Sequence, residues 1–213
     1  MPSPLVVRAK LRSPAVSFPP LDALLGAMVA EERGLVAGFG PVVPIDDLPL
    51  ERSVCGRFWL ASEAIAETEL YEPRFVNRRF PIAEFQMLGE GGSRKIDIAS
   101  GVNRSYRIPT RVMHVDGDTV TWYALGEEGR VRELLGRVTH LGKRRGVGRG
   151  GVASWGVETI EPWEGFPVLH EGRPLRALPV DWPGVASDAR RAHRVLSPPL
   201  WEHRRAELCV VPS

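Results

Sequence analysis

The stretch RIPTRVMHVDGDTVTWYALG, Arg107 to Gly126, constrains the fold more than any other part of the chain. Two β-prone runs flank Asp116 and Gly117, and a short Asp-Gly turn between such runs predicts a β-hairpin. Directly after it, Val131, Leu134, Leu135 and Val138 share one helical face across Glu127 to His140. Glutamates open that segment and His140 stands near its end, an arrangement that suits the helix dipole. A glycine-rich loop and the strand-like run VASWGVETIE follow.

The chain before this block opens with the same grammar. PLVVRAKLRS alternates apolar and basic residues from Val7 to Leu11, the period of a half-buried strand. Phe18 to Pro20 break it, and Leu21, Leu24, Leu25, Met28 and Val29 then recur at helical spacing, with Asp22 in the first turn and Gly34 past the end. Gly34 to Gly56 reads as an extended connection, and RFWLA, Arg57 to Ala61, as a further strand. The order strand, helix, strands, helix, loop, strand predicts an α+β chain. Its expected core is a ferredoxin-like (RRM-like) βαββαβ domain over residues 1–162, with two helices on one face of an antiparallel sheet. Residues 67–103 mix aromatics, arginines and glycines without a sustained period and are expected to form a protruding insertion. Residues 163–213 are expected to form a C-terminal extension packing on the domain or on a partner. No internal repeat of fixed period is evident.

Hydrophobic residues make up 43% of the 213 and are spread along the whole length, which excludes global disorder and fits one or two compact units. Only Cys55 and Cys209 are present, so a cysteine-only zinc site is excluded and a disulfide framework has little support. No signal peptide or membrane-length apolar run is seen, and a cytoplasmic, unexported protein with no membrane partner is expected.

The formal charge is only +2, so any case for a polyanionic partner rests on where the cations sit. They are concentrated in HLGKRRGVGRGG. Between Glu133 and Glu158 there is no carboxylate, while Arg137, Lys143, Arg144, Arg145 and Arg149 fall inside that gap. Gly142, Gly146, Gly148, Gly150 and Gly151 allow the backbone dihedrals and close approaches that bring main-chain amides to anionic oxygens. The signature and element order of a nucleotide P-loop are missing, since a helix precedes the loop, a strand follows, and no Ser or Thr succeeds Lys143. Cations spread over several residues suit a nucleic-acid backbone better than one triphosphate. The competing reading is a solvated connection in an arginine- and glycine-rich chain.

The segments LDALLGAMVAEE and LLGRVTHLGKRRGVGRGGVASWGVE resemble the first helix and glycine-rich loop of the RAMP superfamily of CRISPR-associated proteins. With EGRPLRALPV, Glu171 to Val180, the chain resembles the Cas-five-type subunit of type IV CRISPR effector complexes over roughly Leu5 to Val180. That resemblance implies a subunit that caps a filament of backbone RAMP subunits, holds the five-prime repeat-derived tag of the CRISPR RNA and contacts a large subunit, with target DNA nearby. Gly142 to Gly151 then carry the phosphate contacts, with Arg137 and His140 beside them. Residues 67–103 correspond to a thumb-like insertion, for which Arg74, Arg78, Arg79, Arg94, Lys95, Arg104 and Arg107 are the basic candidates. Tyr71, Phe75, Phe80 and Tyr106 are the candidates for stacking on bases.

Some RAMP relatives cut repeat RNA without metal, and His140, beside the loop, is the candidate acid-base group for such a reaction. The alternative is a helix C-terminal cap. His114, in a predicted strand, reads as a sheet-face residue, and His193 and His203 lie in a basic tail. No histidine pair has helical metal spacing and no acidic cluster suits two-metal chemistry, so neither metal nor cofactor is expected. The sequence thus points to a non-catalytic RNA-binding subunit, with a metal-independent repeat endoribonuclease as the alternative.

Overall fold

The computed structural model describes residues 2–35, 45–78, 105–200 and 202–212, with the backbone alone at Arg78. Strand β1 (Ser3–Leu11) is followed by helix α1 (Leu21–Glu32), then by β2 (Thr68–Arg78), β3 (Tyr106–Val115) and β4 (Thr119–Gly126). Helix α2 (Glu128–Gly136) and β5 (Val152–Thr159) complete the main layer pair of an α+β fold. Among the described residues no helix is long and apolar enough to cross a membrane.

The main sheet has the order β4-β1-β5, with β1 antiparallel to both neighbours; Val7 lies opposite Trp122 on one side and Val157 on the other. The alternation in β1 puts Leu5, Val7, Ala9 and Leu11 inward, where they meet Val120, Trp122 and Ala124 of β4 and the buried faces of α1 and α2. At roughly 1.5–3 kcal/mol for each fully buried aliphatic or aromatic side chain, this cluster dominates the stability of the layer pair. The polar ends of Trp122 and Trp155 are satisfied: Trp122 Nε1 donates to the Pro19 carbonyl (3.1 Å) and Trp155 Nε1 to that of Val138 (2.9 Å). Helix α1 ends as its glycine dictates. Gly34, at φ +66°, donates to Glu31, and Leu35 donates back to the Ala30 carbonyl (2.9 Å), closing a Schellman motif.

Three sequence expectations change. The strands flanking Asp116 and Gly117 do not pair with each other: β3 pairs with β2 in a separate two-stranded ribbon, and β4 pairs with β1. Gly117 and Asp118, at φ 53° and 48°, still make the turn, so the dipeptide marks a reversal but not the partner. The expected insertion therefore begins with a regular strand, β2. RFWLA is not a strand. Trp59 bridges back to Arg52, Ala61 bridges to Ala124 of β4, and the carbonyls of both are taken by the Arg176 guanidinium instead of by a neighbouring strand. The second helix stops at Gly136, so His140 is not at its C-terminus.

The C-terminal residues build a second core around Val168, Leu169, Leu178, Leu196, Cys209, Val210 and Val211, into which Phe58 inserts. Small strands frame it: β6 (Leu169–His170) with β7 (Arg173–Pro174), and β10 (Glu207–Val210) between β8 (Leu178–Pro179) and β9 (Arg191–Arg194). Arg176, 4% exposed, joins this core to the main one. Besides Trp59 and Ala61, its guanidinium donates to the Leu196 carbonyl (2.6 Å) and to Asp22 Oδ2 of α1 (3.2 Å). Both cysteines are free thiols, Cys55 exposed and Cys209 buried.

Candidate nucleic-acid interface

Residues 141–150 leave and re-enter the fold through one neck, where the Leu141 amide donates to the Gly150 carbonyl (2.7 Å) and His140 bridges to Gly151. The connection between β1 and α1 ties the loop down. Ser13 Oγ donates to the Gly148 carbonyl and accepts from the Gly151 amide, both at 2.8 Å, and the Gly150 amide donates to Pro14 (2.9 Å). The Lys143 amide reaches Ser17 Oγ (3.3 Å). At the tip a 3-10 turn, Arg145–Val147, lies between two left-handed residues, Arg144 (φ 64°) and Gly148 (φ 77°).

The glycines divide into two kinds. Gly142 sits at φ +72°, where an added Cβ would lie 1.8 Å from the Ser17 carbonyl oxygen, and Gly150 sits at φ +66°, where it would lie 2.1 Å from that of Leu141. These two let the loop close against the fold. Gly146 and Gly148 would bring a Cβ within 4 Å of nothing among the described residues, which leaves room beside the backbone for a ligand. Gly142→Ala or Gly150→Ala is therefore expected to cost at least about 2 kcal/mol in thermal unfolding, whereas Gly146→Ala leaves the melting temperature unchanged. Equal effects at Gly142 and Gly146 would contradict this division.

Lys143 and Arg145 are exposed, Arg144 and Arg149 half-buried. Among the described residues none of these four carries an ion pair. Arg137 is differently placed: it holds Glu32 (2.8 Å) and Glu31 (3.7 Å) of α1, in a network that also engages Arg130. His140 is half-buried, with Nδ1 3.1 Å from Thr139 Oγ1. Among the described residues no group of three His, Cys, Asp or Glu could hold a metal ion.

The ribbon rises from the same connection that clamps the loop, since Ala15 and Met113 exchange backbone hydrogen bonds of 3.2 and 2.7 Å at its base. Its two faces differ in charge. On one, the Arg111 guanidinium lies over Tyr71 (4.4 Å to the ring centre) and that of Arg107 over Phe75 (3.8 Å). Both rings remain about half exposed. On the other, Arg74 pairs with Glu72 (2.6 Å), which also faces His114 (3.3 Å). The Arg74 hydrogen bond, helped by His114, holds the Glu72 carboxyl below its ordinary value. Arg74 is thus charge-compensated, whereas Arg107 and Arg111 have no carboxylate partner among the described residues. Tyr106, half-buried, lies opposite Arg78 at the far end. Arg79, Phe80, Arg94, Lys95 and Arg104 lie outside the described residues.

Sequence reasoning missed Arg111 and three cations of β1 and its exit, Arg8, Lys10 and Arg12. The last three alternate with inward residues and so share the sheet face away from the helices. Arg8 pairs there with Glu158 (2.9 Å), Lys10 donates to the Gly117 carbonyl (2.5 Å), and the Arg12 side chain packs beside Gly151 at the loop neck. The signal was the basic half of the alternation VRAKLR, which reads only as strand pattern until the loop is seen beside it.

A family model described as CRISPR type IV associated protein Csf3 matches residues 81–212, a span that includes the loop, β3 to β5 and most of the C-terminal core. No curated protein matches the chain.

Proposed function

We propose that this chain, which belongs to the Csf3 family of CRISPR type IV associated proteins, is the non-catalytic guide-RNA-binding subunit of a type IV effector ribonucleoprotein. The loop from Gly142 to Gly150 grips the RNA backbone, and the subunit caps the filament of backbone subunits while holding the five-prime repeat-derived tag. The observation that carries this is the set of four cations, without an ion pair among the described residues, on a loop whose neck is closed and clamped. Such a loop presents charge without losing much conformational freedom when a polyanion binds. Arg12, at the neck, extends the set. The Tyr71 and Phe75 rings, each already backed by a guanidinium, suit stacking on splayed bases of a single strand.

The sheet order supports the ferredoxin-like reading of the domain: α1 and α2 lie on one face, β4 and β5 flank β1, and residues 50–65 bridge to the free edge of β4. Contacts with a large subunit and with flanking target DNA belong to the same proposal. The test is purification of the tagged chain from cells that carry its own gene neighbourhood, followed by sequencing of the bound RNA. Guide RNAs with a uniform five-prime tag are expected, together with backbone and large subunits, and the tag should be unchanged by His140→Ala. Recovery of no RNA or of unrelated RNA would contradict the proposal, and a tag altered by His140→Ala would favour the endoribonuclease.

A further inference from the structure

A cavity of about 310 Å³ lies away from the loop, between the main core and the C-terminal one, lined by Asp46, Arg52, Arg57, Trp59, Arg205 and Glu207 among others. Its three arginines are held in place. The Arg52 guanidinium carbon lies over the Trp59 ring (4.3 Å to its centre) while the group donates to Asp46 (2.5 Å) and to the Gly56 carbonyl (2.9 Å). Arg57 pairs with Glu207, and Arg205 donates to Ser197 Oγ (2.9 Å). A guanidinium has five N–H donors, so each keeps donors free for a ligand after these contacts.

We infer that this cavity is a binding site for a single nucleotide unit. The size is at the lower end of small-ligand pockets and matches one base with its sugar and phosphate. The Arg52 guanidinium, backed by Trp59, offers a planar cationic surface on which a base can stack. Arg57 and Arg205 supply charge-assisted donors for a phosphate, and Asp46 and Glu207 supply acceptors for base amino groups or sugar hydroxyls. Glu202 also lies 3.9 Å from Arg205, so three cations face three carboxylates, and it is the free guanidinium donors rather than net charge that favour a phosphorylated ligand over a nucleoside. The nucleotide is either free or one residue of a bound strand; the second form rests on the RNA-binding reading above.

The experiment compares the wild type, the pocket variant Arg57→Gln/Arg205→Gln and a loop variant with Lys143, Arg144, Arg145 and Arg149 changed to Ala. Each is titrated with adenosine and uridine 5′-monophosphate and photo-crosslinked to 4-thiouridine-substituted guide RNA. Arg52→Gln serves as a second pocket variant should the first unfold. For a free ligand, a monophosphate binds the wild type and the loop variant alike and at least about tenfold more weakly to the pocket variant. For a strand residue, monophosphates bind weakly but a crosslink forms at residues 45–59 and is lost in the pocket variant. Absence of both pocket-dependent monophosphate binding and that crosslink overturns the inference. The loop reading stands or falls separately, on whether the loop variant still binds guide RNA.

Discussion

Arg176→Met will destabilise the protein by roughly 3–5 kcal/mol in denaturant unfolding, the range expected when one partner of a buried ion pair is removed. The side chain is 5% exposed and Asp22 1%. Its loss leaves Asp22 without its counter-ion, the carbonyls of Ala61 and Leu196 without the guanidinium donor, and that of Trp59 with only the Ala61 amide. Asp22→Asn should cost much less. Asn keeps a side-chain acceptor for Arg176 and leaves its carbonyl contacts in place; burial already pushes the Asp22 carboxyl above its ordinary value, and its Oδ1 has no hydrogen-bond partner among the described residues. The ordering is the test: an Asp22→Asn variant as unstable as Arg176→Met would mean that the pair, and not the carbonyl contacts, does most of the joining. Because Arg176 links α1, the 59–61 segment and the C-terminal core, its removal should also lower the cooperativity of unfolding.

Changing Lys143, Arg144, Arg145 and Arg149 together to Ala will weaken guide-RNA binding by roughly 10²- to 10³-fold at moderate salt, since charge-assisted phosphate contacts contribute about 1 kcal/mol or somewhat less each in water. The fold should be indifferent to the change, because none of the four makes an ion pair among the described residues. Gel-shift or anisotropy titrations at matched salt, alongside thermal unfolding, check both halves. Arg137→Ala should behave in the opposite way. Its guanidinium is engaged with Glu31 and Glu32, so it should lose a few tenths of a kcal/mol of stability and little RNA affinity.

What could be read in the sequence was whatever is decided locally. The alternation in β1, the apolar face and Schellman glycine of α1, and the acid-free window around the loop are each set by neighbours within a few residues, and the structure has them where the pattern puts them. Partner choice is different. Nothing near Asp116 says that β3 will leave β4 and run with β2, because the preference for β2 comes from ten residues of non-local register. RFWLA has the composition of a strand, yet the carbonyls of Trp59 and Ala61 are taken by an arginine 115 residues and more downstream. That arginine stands in RPLRALPV, part of the expected C-terminal extension, where the sequence gives no hint of its burial. The glycines of the loop look equivalent on paper; only the positions of the Ser17 and Leu141 carbonyls separate Gly142 and Gly150 from Gly146 and Gly148.

The same limit applies to the basic residues. Arg74, Arg107 and Arg137 have equal standing as cations in the sequence, but Arg74 and Arg137 have carboxylates within reach whereas Arg107 lies on a ring. Ion pairing across elements is a tertiary fact, and it decides which cations keep their charge available for a partner.

The most direct test of the account is the salt dependence of guide-RNA binding, measured for the wild type and for the four-residue loop variant over the same range of ionic strength. Each phosphate neutralised on a single strand contributes about 0.7 to the slope of log affinity against log salt. If the loop grips the backbone, the variant's slope is shallower than that of the wild type by about 3. Parallel slopes with unchanged affinity would show that these cations do not touch the RNA, and the loop would no longer be its binding site.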